Sequence, residues 1–183
     1  MFDTTSITST SDPKEQADIL IDLAQQTLHL PKLNKMYLIS SGLNGIGEQE
    51  NSGKTPRGWP RVEQKIGAEH PLNAVFKARI WTGEIYDAAL GASHPERDWI
   101  LTRILWLSGL EPNFNQGEGC DTFKRYIYIH GTPDSEPMGI PQSHGCIRMR
   151  SADVQELFDL VSEGALVYLS EHPLQDEKLS QEQ

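Results

Sequence analysis

The sequence predicts a mainly β domain, a sandwich or barrel with one or two peripheral helices. Two features of the chain support this fold class. Most of its apolar segments are short and carry alternating or β-branched residues, as half-buried strands do. Clusters of Gly, Pro, Asn and Asp separate these segments and predict turns between them. The 183 residues are enough for one domain with a sizeable core, which we place at residues 35–170.

The first 34 residues are predicted to form a tail and a helix. Residues 1–12 are rich in Ser and Thr, a composition typical of a disordered tail. Asp12 and Pro13 can begin a helix, because Pro is favoured in a first helical turn. We expect this helix to continue to about Pro31, with one apolar stripe made of Ile19, Leu20, Leu23 and Leu28.

Five segments of the following region have the composition of strands. They are Lys35–Ser40, Ala74–Asp87 with a turn at Thr82 and Gly83, Trp99–Gly109, Phe123–Gly131 and Ala165–Ser170. The alternation in the fourth segment puts Tyr126, Tyr128 and His130 on one face of a strand. Residues 42–60 and 113–121 are rich in turn formers and predict loops, the first of them a long surface loop.

A helix is predicted directly after Met149, before the last of these strands. Ser151 or Asp153 can serve as its N-cap, and Gly164 suits the position just after its end. The buried stripe of this helix is expected to consist of Val154, Leu157, Phe158 and Val161. The acidic, Gln-rich residues 171–183 predict a second tail.

The net charge of −10 argues against partners that are recognised through positive charge. A nucleic-acid or anionic-membrane surface needs clustered Lys and Arg, and the sequence holds no such block. No apolar run approaches the ~20 residues of a membrane span. The first basic residue is Lys14, so the N-terminus does not resemble a secretory signal, and we expect a cytoplasmic protein. In that compartment both cysteines should be thiols, with Cys120 structural.

The stretch HGTPDSEPMGIPQSHGCIRM, residues 130–149, holds two His-Gly pairs, a Cys and an Arg. We interpret Cys146 as a nucleophile and His130, at the end of a predicted strand, as its base. A free thiol with a pKa of ~8.5 is mostly protonated at neutral pH, so it needs a neighbouring imidazole to take its proton. A carbonyl after His130, such as that of Gly131, could fix the imidazole tautomer.

Gly145 and Arg148, on either side of Cys146, suggest how a substrate could be held. Gly145 permits positive φ and a close approach of the backbone to a substrate. The N–H groups of Gly145 and Cys146 could then stabilise an oxyanion, where one donor typically contributes ~3–4 kcal/mol. In an extended segment Arg148 lies on the same face as Cys146 and could bind a substrate carboxylate through two N–H groups.

The motif SHGCIRM (residues 143–149), preceded by IHG (residues 129–131), resembles the signature of the YkuD family, the L,D-transpeptidase catalytic domain. TPRG (residues 55–58) is similar to a Thr-Pro-x-Gly element that often precedes the family's active-site region. We judge that the resemblance covers residues 35–170. It implies a β-rich fold and a cysteine acyl-enzyme that acts on peptidoglycan stem peptides. The bond attacked would join the L-centre of a meso-diaminopimelate-type residue to the next D-residue.

The resemblance also implies roles for individual residues. Cys146 would be the nucleophile, His130 its base, and Gly131 the residue whose carbonyl orients that base. His144 and Gly145 would shape the pocket and the oxyanion hole. Substrate binding is assigned to three further residues of the same region, namely Arg148, Ser143 and Tyr128. No metal or other cofactor is expected.

Our first functional hypothesis is a cytoplasmic L,D-carboxypeptidase, resembling the family members that carry no export signal. With water as acceptor, such an enzyme would remove the terminal D-Ala from tetrapeptide muropeptides or precursors and return tripeptide to peptidoglycan recycling. The second hypothesis is an L,D-transpeptidase that forms peptidoglycan cross-links or exchanges D-amino acids. The third is a non-catalytic module that binds zinc or muropeptides. The oligomeric state is left open.

Four residues of the stretch 130–149 also have alternative explanations. His130, His144 and Cys146 could together bind zinc, since His and Cys are its usual ligands. No Cys-x-x-Cys or His-x-x-x-His pair supports that alternative. His144 could be a hydrogen-bonded structural residue. Arg148 could pair with an acid on the following helix, such as Asp153, instead of a substrate.

Overall fold

A computed structural model describes residues 12–174, which form two β-sheets with three short helices. The strands are β1 (Ile19–Asp22), β2 (Thr27–Leu30), β3 (Lys35–Leu38), β4 (Pro60–Ile66), β5 (Ala74–Lys77), β6 (Ile80–Ile85), β7 (Ile100–Gly109), β8 (Tyr128–Thr132), β9 (Ile147–Arg150) and β10 (Val167–Ser170). The helices are α1 (Pro13–Gln16), α2 (Ala88–Ser93) and α3 (Ser151–Leu160), and a 3₁₀ turn spans Pro31–Leu33. The predicted mainly β fold class with peripheral helices is confirmed.

The two sheets enclose the main apolar core. The first sheet has the order β10-β1-β2-β3, with β1 parallel to β10. The second has the order β6-β5-β7-β8-β9, and β4 also pairs with β7, on the edge that β5 occupies further along. Helix α3 packs on β7 and β8. Its predicted stripe is confirmed, since Val154, Leu157, Phe158 and Val161 are all buried in this core.

The predicted N-terminal helix is wrong beyond its first turn. α1 begins as expected, because the Asp12 side chain accepts a hydrogen bond from the Lys14 amide at 3.0 Å and Pro13 is the first helical residue. The helix already ends at Gln16, and Ala17 is extended. The Asp-Pro pair therefore predicted the start of the helix correctly, whereas the apolar residues after it did not indicate a helix that continues to Pro31.

The residues expected to continue this helix form the hairpin of β1 and β2 instead. Ile19, Leu20 and Ile21 are all buried, and since strand side chains alternate in direction, both faces of β1 are covered. A short run of consecutive apolar residues is compatible with a buried strand or a buried helix, so periodicity could not decide between them. Because residues 19–30 pair within the first sheet, that sheet crosses the boundary predicted between residues 34 and 35.

The hairpin predicted over Ala74–Asp87 is present, but its turn lies at Ala78 and Arg79 and not at residues 82–83. Ala78 has a positive φ of 54°, which closes the turn. The Thr-Gly pair had predicted such a turn conformation four residues later, at residues 82–83. Strand β4 was not predicted. Its sequence, PRVEQKI, has only two large apolar side chains, and it follows directly on a long loop.

The strand predicted over Phe123–Gly131 is shorter than expected, because β8 begins only at Tyr128. Tyr126 lies in the preceding turn with φ +56°, and 53% of its surface is exposed. Tyr128 and His130 therefore share a strand face as predicted, while the placement of Tyr126 on that face was wrong. The turn brings the Tyr126 backbone towards the site described below.

Helix α3 starts without the predicted side-chain cap. Arg150 occupies the N-cap position, and neither Ser151 nor Asp153 caps the helix, because β9 runs into α3 with no intervening loop. Ser151 is the first helical residue and its hydroxyl accepts a hydrogen bond from the Thr102 hydroxyl at 2.8 Å. The helix ends at Leu160, so Gly164, with φ +89°, belongs to a later turn and not to the helix end.

The remaining predictions concern loops and tails. Residues 42–60 and 113–121 lack long regular elements, as expected, except that Pro60 already begins β4. The first segment also contacts the turn before Cys146 through Thr55. The predicted tails fall almost wholly outside the described residues, which begin at residue 12 and end at residue 174. Within that range no helix has both the length and the apolar character to cross a membrane.

Candidate active site

The parallel pairing of β8 and β9 brings together the two halves of the motif. His130 is level with Arg148, so Cys146, just before β9, lies beside Tyr128. The Tyr128 amide donates a hydrogen bond to Cys146 Sγ at 3.3 Å. Because residues two apart on a strand share a face, Cys146 and His130 are diagonal neighbours on one face of the sheet. The fifteen residues between them, 131–145, fold back as the sequence required.

His130 is held in a single orientation by its own chain. It is buried, and its Nδ1 lies 2.7 Å from the carbonyl oxygen of Gly131. A carbonyl can only accept, so Nδ1 carries the proton and Nε2 keeps a free lone pair. Burial lowers the pKa of His130, against the opposing effect of the Gly131 carbonyl, so the imidazole is neutral at neutral pH. The predicted orienting contact from Gly131 is thus present.

The Gly131 position has no space for a side chain. A Cβ there would lie 2.5 Å from the Leu101 carbonyl oxygen and 3.0 Å from the Ser151 hydroxyl. Glycine therefore lets β8 pass between β7 and the start of α3 while its carbonyl remains bonded to His130.

The thiol of Cys146 is protonated in this resting arrangement. Its hydrogen-bond partners among residues 12–174 are the Tyr126 carbonyl, which accepts from it at 3.3 Å, and the Tyr128 amide. Burial raises the pKa of Cys146 to about 11, although the Tyr128 amide favours the thiolate. The sulfur must therefore turn from the Tyr126 carbonyl towards His130 Nε2 before it can lose its proton.

Ser143 supports the turn that carries the nucleophile. It is buried, and its hydroxyl donates to the Cys146 carbonyl at 2.5 Å and accepts from the Gly145 amide at 3.1 Å. The Ser143 hydroxyl and the Gly145 amide are therefore bonded to each other here, and the contacts predicted for them with a substrate and an oxyanion stay predictions. The Cys146 amide, which makes no such bond, stays a predicted oxyanion donor.

Thr55, the first residue of the TPRG element, joins the 42–60 loop to this turn. Its buried hydroxyl donates to the Gly145 carbonyl at 2.8 Å and accepts from the Gly42 amide at 2.8 Å. Gly145 has φ +123°, and a Cβ there would lie 3.1 Å from the Lys54 carbonyl oxygen. The turn therefore depends both on a glycine and on the neighbouring loop.

Substitution of Thr55 by valine is expected to destabilise the fold by about 1–3 kcal/mol, because it leaves a buried amide and a buried carbonyl without partners. Urea unfolding measures the change, and Thr55→Ser, which keeps the hydroxyl, serves as the matched control. Equal stability of the valine variant and the wild type would show that the hydroxyl does not anchor the turn.

Asp98, which the sequence analysis missed, links His144 to Arg148. Its two carboxylate oxygens lie 2.9 Å from His144 Nδ1 and 2.7 Å from Arg148 Nη2. Burial alone would raise the pKa of Asp98, but the His144 hydrogen bond and the Arg148 charge outweigh it and hold that pKa below its ordinary value. The imidazole of His144 is largely exposed, in agreement with a hydrogen-bonded residue at the pocket rim.

Arg148 is buried and already has acidic partners. Only 9% of its side chain is exposed, and it is paired with Asp98 and, at 3.7 Å, with Glu136. The alternative partner Asp153 is therefore wrong, while substrate binding by Arg148 stays a prediction. Arg148, Asp98 and His144 share the wall of a 210 Å³ cavity.

The zinc alternative finds no support in the donor positions. His130 faces the Gly131 carbonyl and His144 faces Asp98, whereas the sulfur of Cys146 faces Tyr126 and Tyr128. Across residues 12–174, no three His, Cys, Asp or Glu side chains are grouped so that they could hold a metal ion. The hydrogen bonds that Cys120 makes within the described part of the chain go to the carbonyls of residues 116 and 117 in its own loop, as expected for a structural cysteine.

An aromatic platform adjoins Cys146, and no pattern in the sequence predicted it. We define it as Trp106, Phe123, Tyr126 and Tyr128. The indole of Trp106 stacks on Phe123 with ring centroids 3.8 Å apart and contacts both tyrosines at 5.7–5.8 Å. Cys146 packs against the same cluster. Arg79, from the turn between β5 and β6, lies over two of these rings.

Comparisons with known proteins bear on the family and the fold of the chain. The model of the YkuD family, described as the L,D-transpeptidase catalytic domain, matches residues 16–169. L,D-transpeptidase 3 from Mycobacterium tuberculosis is 16% identical over 84% of this chain and 59% of its own, with a TM-score of 0.50. An L,D-transpeptidase from Xylanimonas cellulosilytica is 21% identical over 83% of this chain and 59% of its own, with a TM-score of 0.46.

The similarity to L,D-transpeptidase 3 supports the fold. The chain spans 59% of the length of each of the two structures. The comparison with curated proteins found no match.

Proposed function

The chain belongs to the YkuD family of L,D-transpeptidase catalytic domains, and from that premise we propose that it transfers acyl groups of peptidoglycan stem peptides through a thioester on Cys146. The family prediction from SHGCIRM is confirmed, and the match includes β1 and β2. The observation that carries the proposal is the 2.7 Å hydrogen bond of His130 Nδ1 to Gly131. It leaves Nε2 unprotonated on the face that carries the thiol.

Acylation would begin when His130 Nε2 takes the thiol proton. The sulfur then attacks the carbonyl carbon of the L-centre, and the Cys146 amide stabilises the oxyanion that forms. Breakdown of this intermediate cleaves the amide bond. The protonated imidazole gives its proton to the leaving amine of the D-residue, so a thioester and a free D-amino acid are the products.

The acceptor decides between the two enzymatic hypotheses. In both, His130 takes a proton from the acceptor, which attacks the thioester and releases the thiol. An amine acceptor gives L,D-transpeptidation, the reaction for which the family is named, and this is our first proposal. Water gives an L,D-carboxypeptidase, which we propose second, together with the recycling role, the tetrapeptide specificity and the cytoplasmic location expected from the sequence.

Mass spectrometry of products separates these proposals. Purified protein is incubated with a disaccharide-free tetrapeptide, with and without an isotopically labelled D-amino acid. We expect release of D-Ala and a tetrapeptide that carries the label. If the product is tripeptide and its yield does not change when the labelled amino acid is added, water is the acceptor and the L,D-carboxypeptidase becomes the first proposal. Binding without release of D-Ala would leave the non-catalytic hypothesis.

The proposed location is tested separately. Fractionation of cells that express the full-length protein should place it with soluble cytoplasmic markers. A pool outside the cytoplasmic membrane would overturn that location and the recycling role with it.

A further inference from the structure

Arg79 holds its guanidinium over the aromatic platform. Its Cζ is 4.7 Å from the Trp106 ring centroid and 5.1 Å from that of Tyr126, both within cation–π range. Its Nη1 donates to the Tyr128 hydroxyl at 3.0 Å. These three contacts fix a long side chain that comes from the tip of the β5–β6 hairpin.

The same two tyrosines hold the nucleophile. The Tyr126 carbonyl accepts a hydrogen bond from Cys146 Sγ and the Tyr128 amide donates one to it, while Arg79 contacts the Tyr126 ring and the Tyr128 hydroxyl. Arg79 and Cys146 are therefore linked through the same two tyrosines, Arg79 at their side chains and Cys146 at their backbone. A carboxylate on the α-carbon that is bonded to the leaving nitrogen could reach Arg79 while the sulfur attacks the carbonyl carbon.

Arg79 also has unused hydrogen-bonding capacity. Within residues 12–174 it makes one hydrogen bond, to a neutral phenol, and no ion pair. A guanidinium has five N–H donors. Four other arginines of that range have carboxylate partners, namely Arg57, Arg61, Arg97 and Arg148. The remaining three, Arg103, Arg125 and Arg150, donate to backbone carbonyl oxygens. The chain has a net charge of −10, so its acidic side chains outnumber its basic ones. An arginine near the proposed nucleophile that has no acidic partner can bind an anionic group of a substrate.

We propose that Arg79 binds the free α-carboxylate of the D-residue that the enzyme removes. This inference rests on the proposed function for the identity of the substrate. It gives Arg79 the role that the sequence assigned to Arg148, whose guanidinium is buried and paired with Asp98. The preferred donor is a stem peptide in which the D-residue after the attacked bond is C-terminal, because only there is its carboxylate free.

The first test compares a tetrapeptide acid with its C-terminal amide. The wild type should have a kcat/KM roughly 10- to 100-fold higher for the acid, as expected for a charge-assisted hydrogen bond. Arg79→Gln should remove most of this preference, and Arg79→Lys should keep part of it. Lys77→Gln, which removes an exposed charge from β5, is the matched control and should keep all of it. An equal loss on both peptides in Arg79→Gln would overturn the proposal.

The second test does not depend on the stem peptide as substrate. Cys146 is alkylated with iodoacetate, an anion, or iodoacetamide, a neutral reagent, and modification is followed at that residue by peptide mass spectrometry. We compare the rate with iodoacetate divided by the rate with iodoacetamide, because a change in the thiolate fraction affects both rates equally and cancels in this ratio. We expect this ratio to fall about tenfold in Arg79→Gln and to stay unchanged in Lys77→Gln. An unchanged ratio in Arg79→Gln would contradict carboxylate binding, whereas a wild type that releases no D-Ala would count against the proposed function alone.

Discussion

Replacement of Cys146 by alanine is expected to abolish D-Ala release from a tetrapeptide, with a loss of roughly 10⁴-fold or more, because no other group near His130 can form a thioester. The residual rate is measured by mass spectrometry of released D-Ala. Cys120→Ala is the matched control, since Cys120 bonds only to carbonyls of its own loop, and it should keep the wild-type rate.

Thermal unfolding accompanies this comparison, because Cys146 packs against the aromatic platform and its truncation could loosen the site. A folded Cys146→Ala variant that still releases D-Ala would show that the chemistry does not pass through this sulfur. A loss in Cys120→Ala equal to that in Cys146→Ala would contradict the assignment in the same way.

Replacement of His130 by glutamine is expected to lower kcat/KM by roughly 10²- to 10⁴-fold, the usual contribution of a positioned general base. Glutamine can still donate a hydrogen bond to the Gly131 carbonyl, but it cannot take the thiol proton. His144→Gln is the comparison, because His144 is exposed and bonded to Asp98, and its loss should cost much less. Similar losses in the two variants would contradict the choice of His130 as base.

The pH profile gives a second signature of His130. The base works only when neutral, so kcat/KM falls as the pH drops through its pKa in the free enzyme. Burial lowers that pKa below the ordinary value of 6.5, so the acidic fall should be centred below pH 6.5. At the other end, burial raises the thiol pKa to about 11, so direct alkylation of Cys146 should accelerate steadily above neutral pH. An acidic fall centred above pH 6.5 would contradict a buried, neutral His130.

The proximity of Cys146 and His130, the proposed catalytic pair, could be predicted from the sequence because its signal is local. A nucleophilic Cys146, a base at the end of a strand and a carbonyl one residue further on all lie within one short motif. Parallel pairing of β8 and β9 then needs only the intervening loop to fold back, which its Gly and Pro residues allow. The roles of His130 and Gly131 follow from contacts between adjacent residues, and such contacts depend little on the rest of the fold.

The surroundings of the pair could not be predicted, since they come from distant segments. Asp98 precedes β7, and Arg79 lies at a hairpin turn that the Thr-Gly signal placed elsewhere. Nothing in the chain around either residue indicates that it reaches the site. The ion pair of Arg148 with Asp98 was missed for the same reason, because strand alternation shows which face a side chain is on but not which acidic side chain lies next to it.

The misassigned N-terminal helix shows a different limit. β1 is apolar at consecutive positions because both of its faces are covered, and this removes the alternation by which half-buried strands are recognised. Its parallel partner β10 lies at the other end of the chain, so the pairing that decides the conformation is invisible locally.

The most direct test of the central claim is to trap the acyl-enzyme. Protein is mixed with tetrapeptide, quenched in acid within seconds, and measured as the intact mass and then as peptides. We predict an added mass equal to the tetrapeptide less D-Ala, attached to Cys146 and absent from Cys146→Ala. D-Ala release without such an adduct in the quenched samples, or an adduct located on another residue, would contradict a thioester on Cys146.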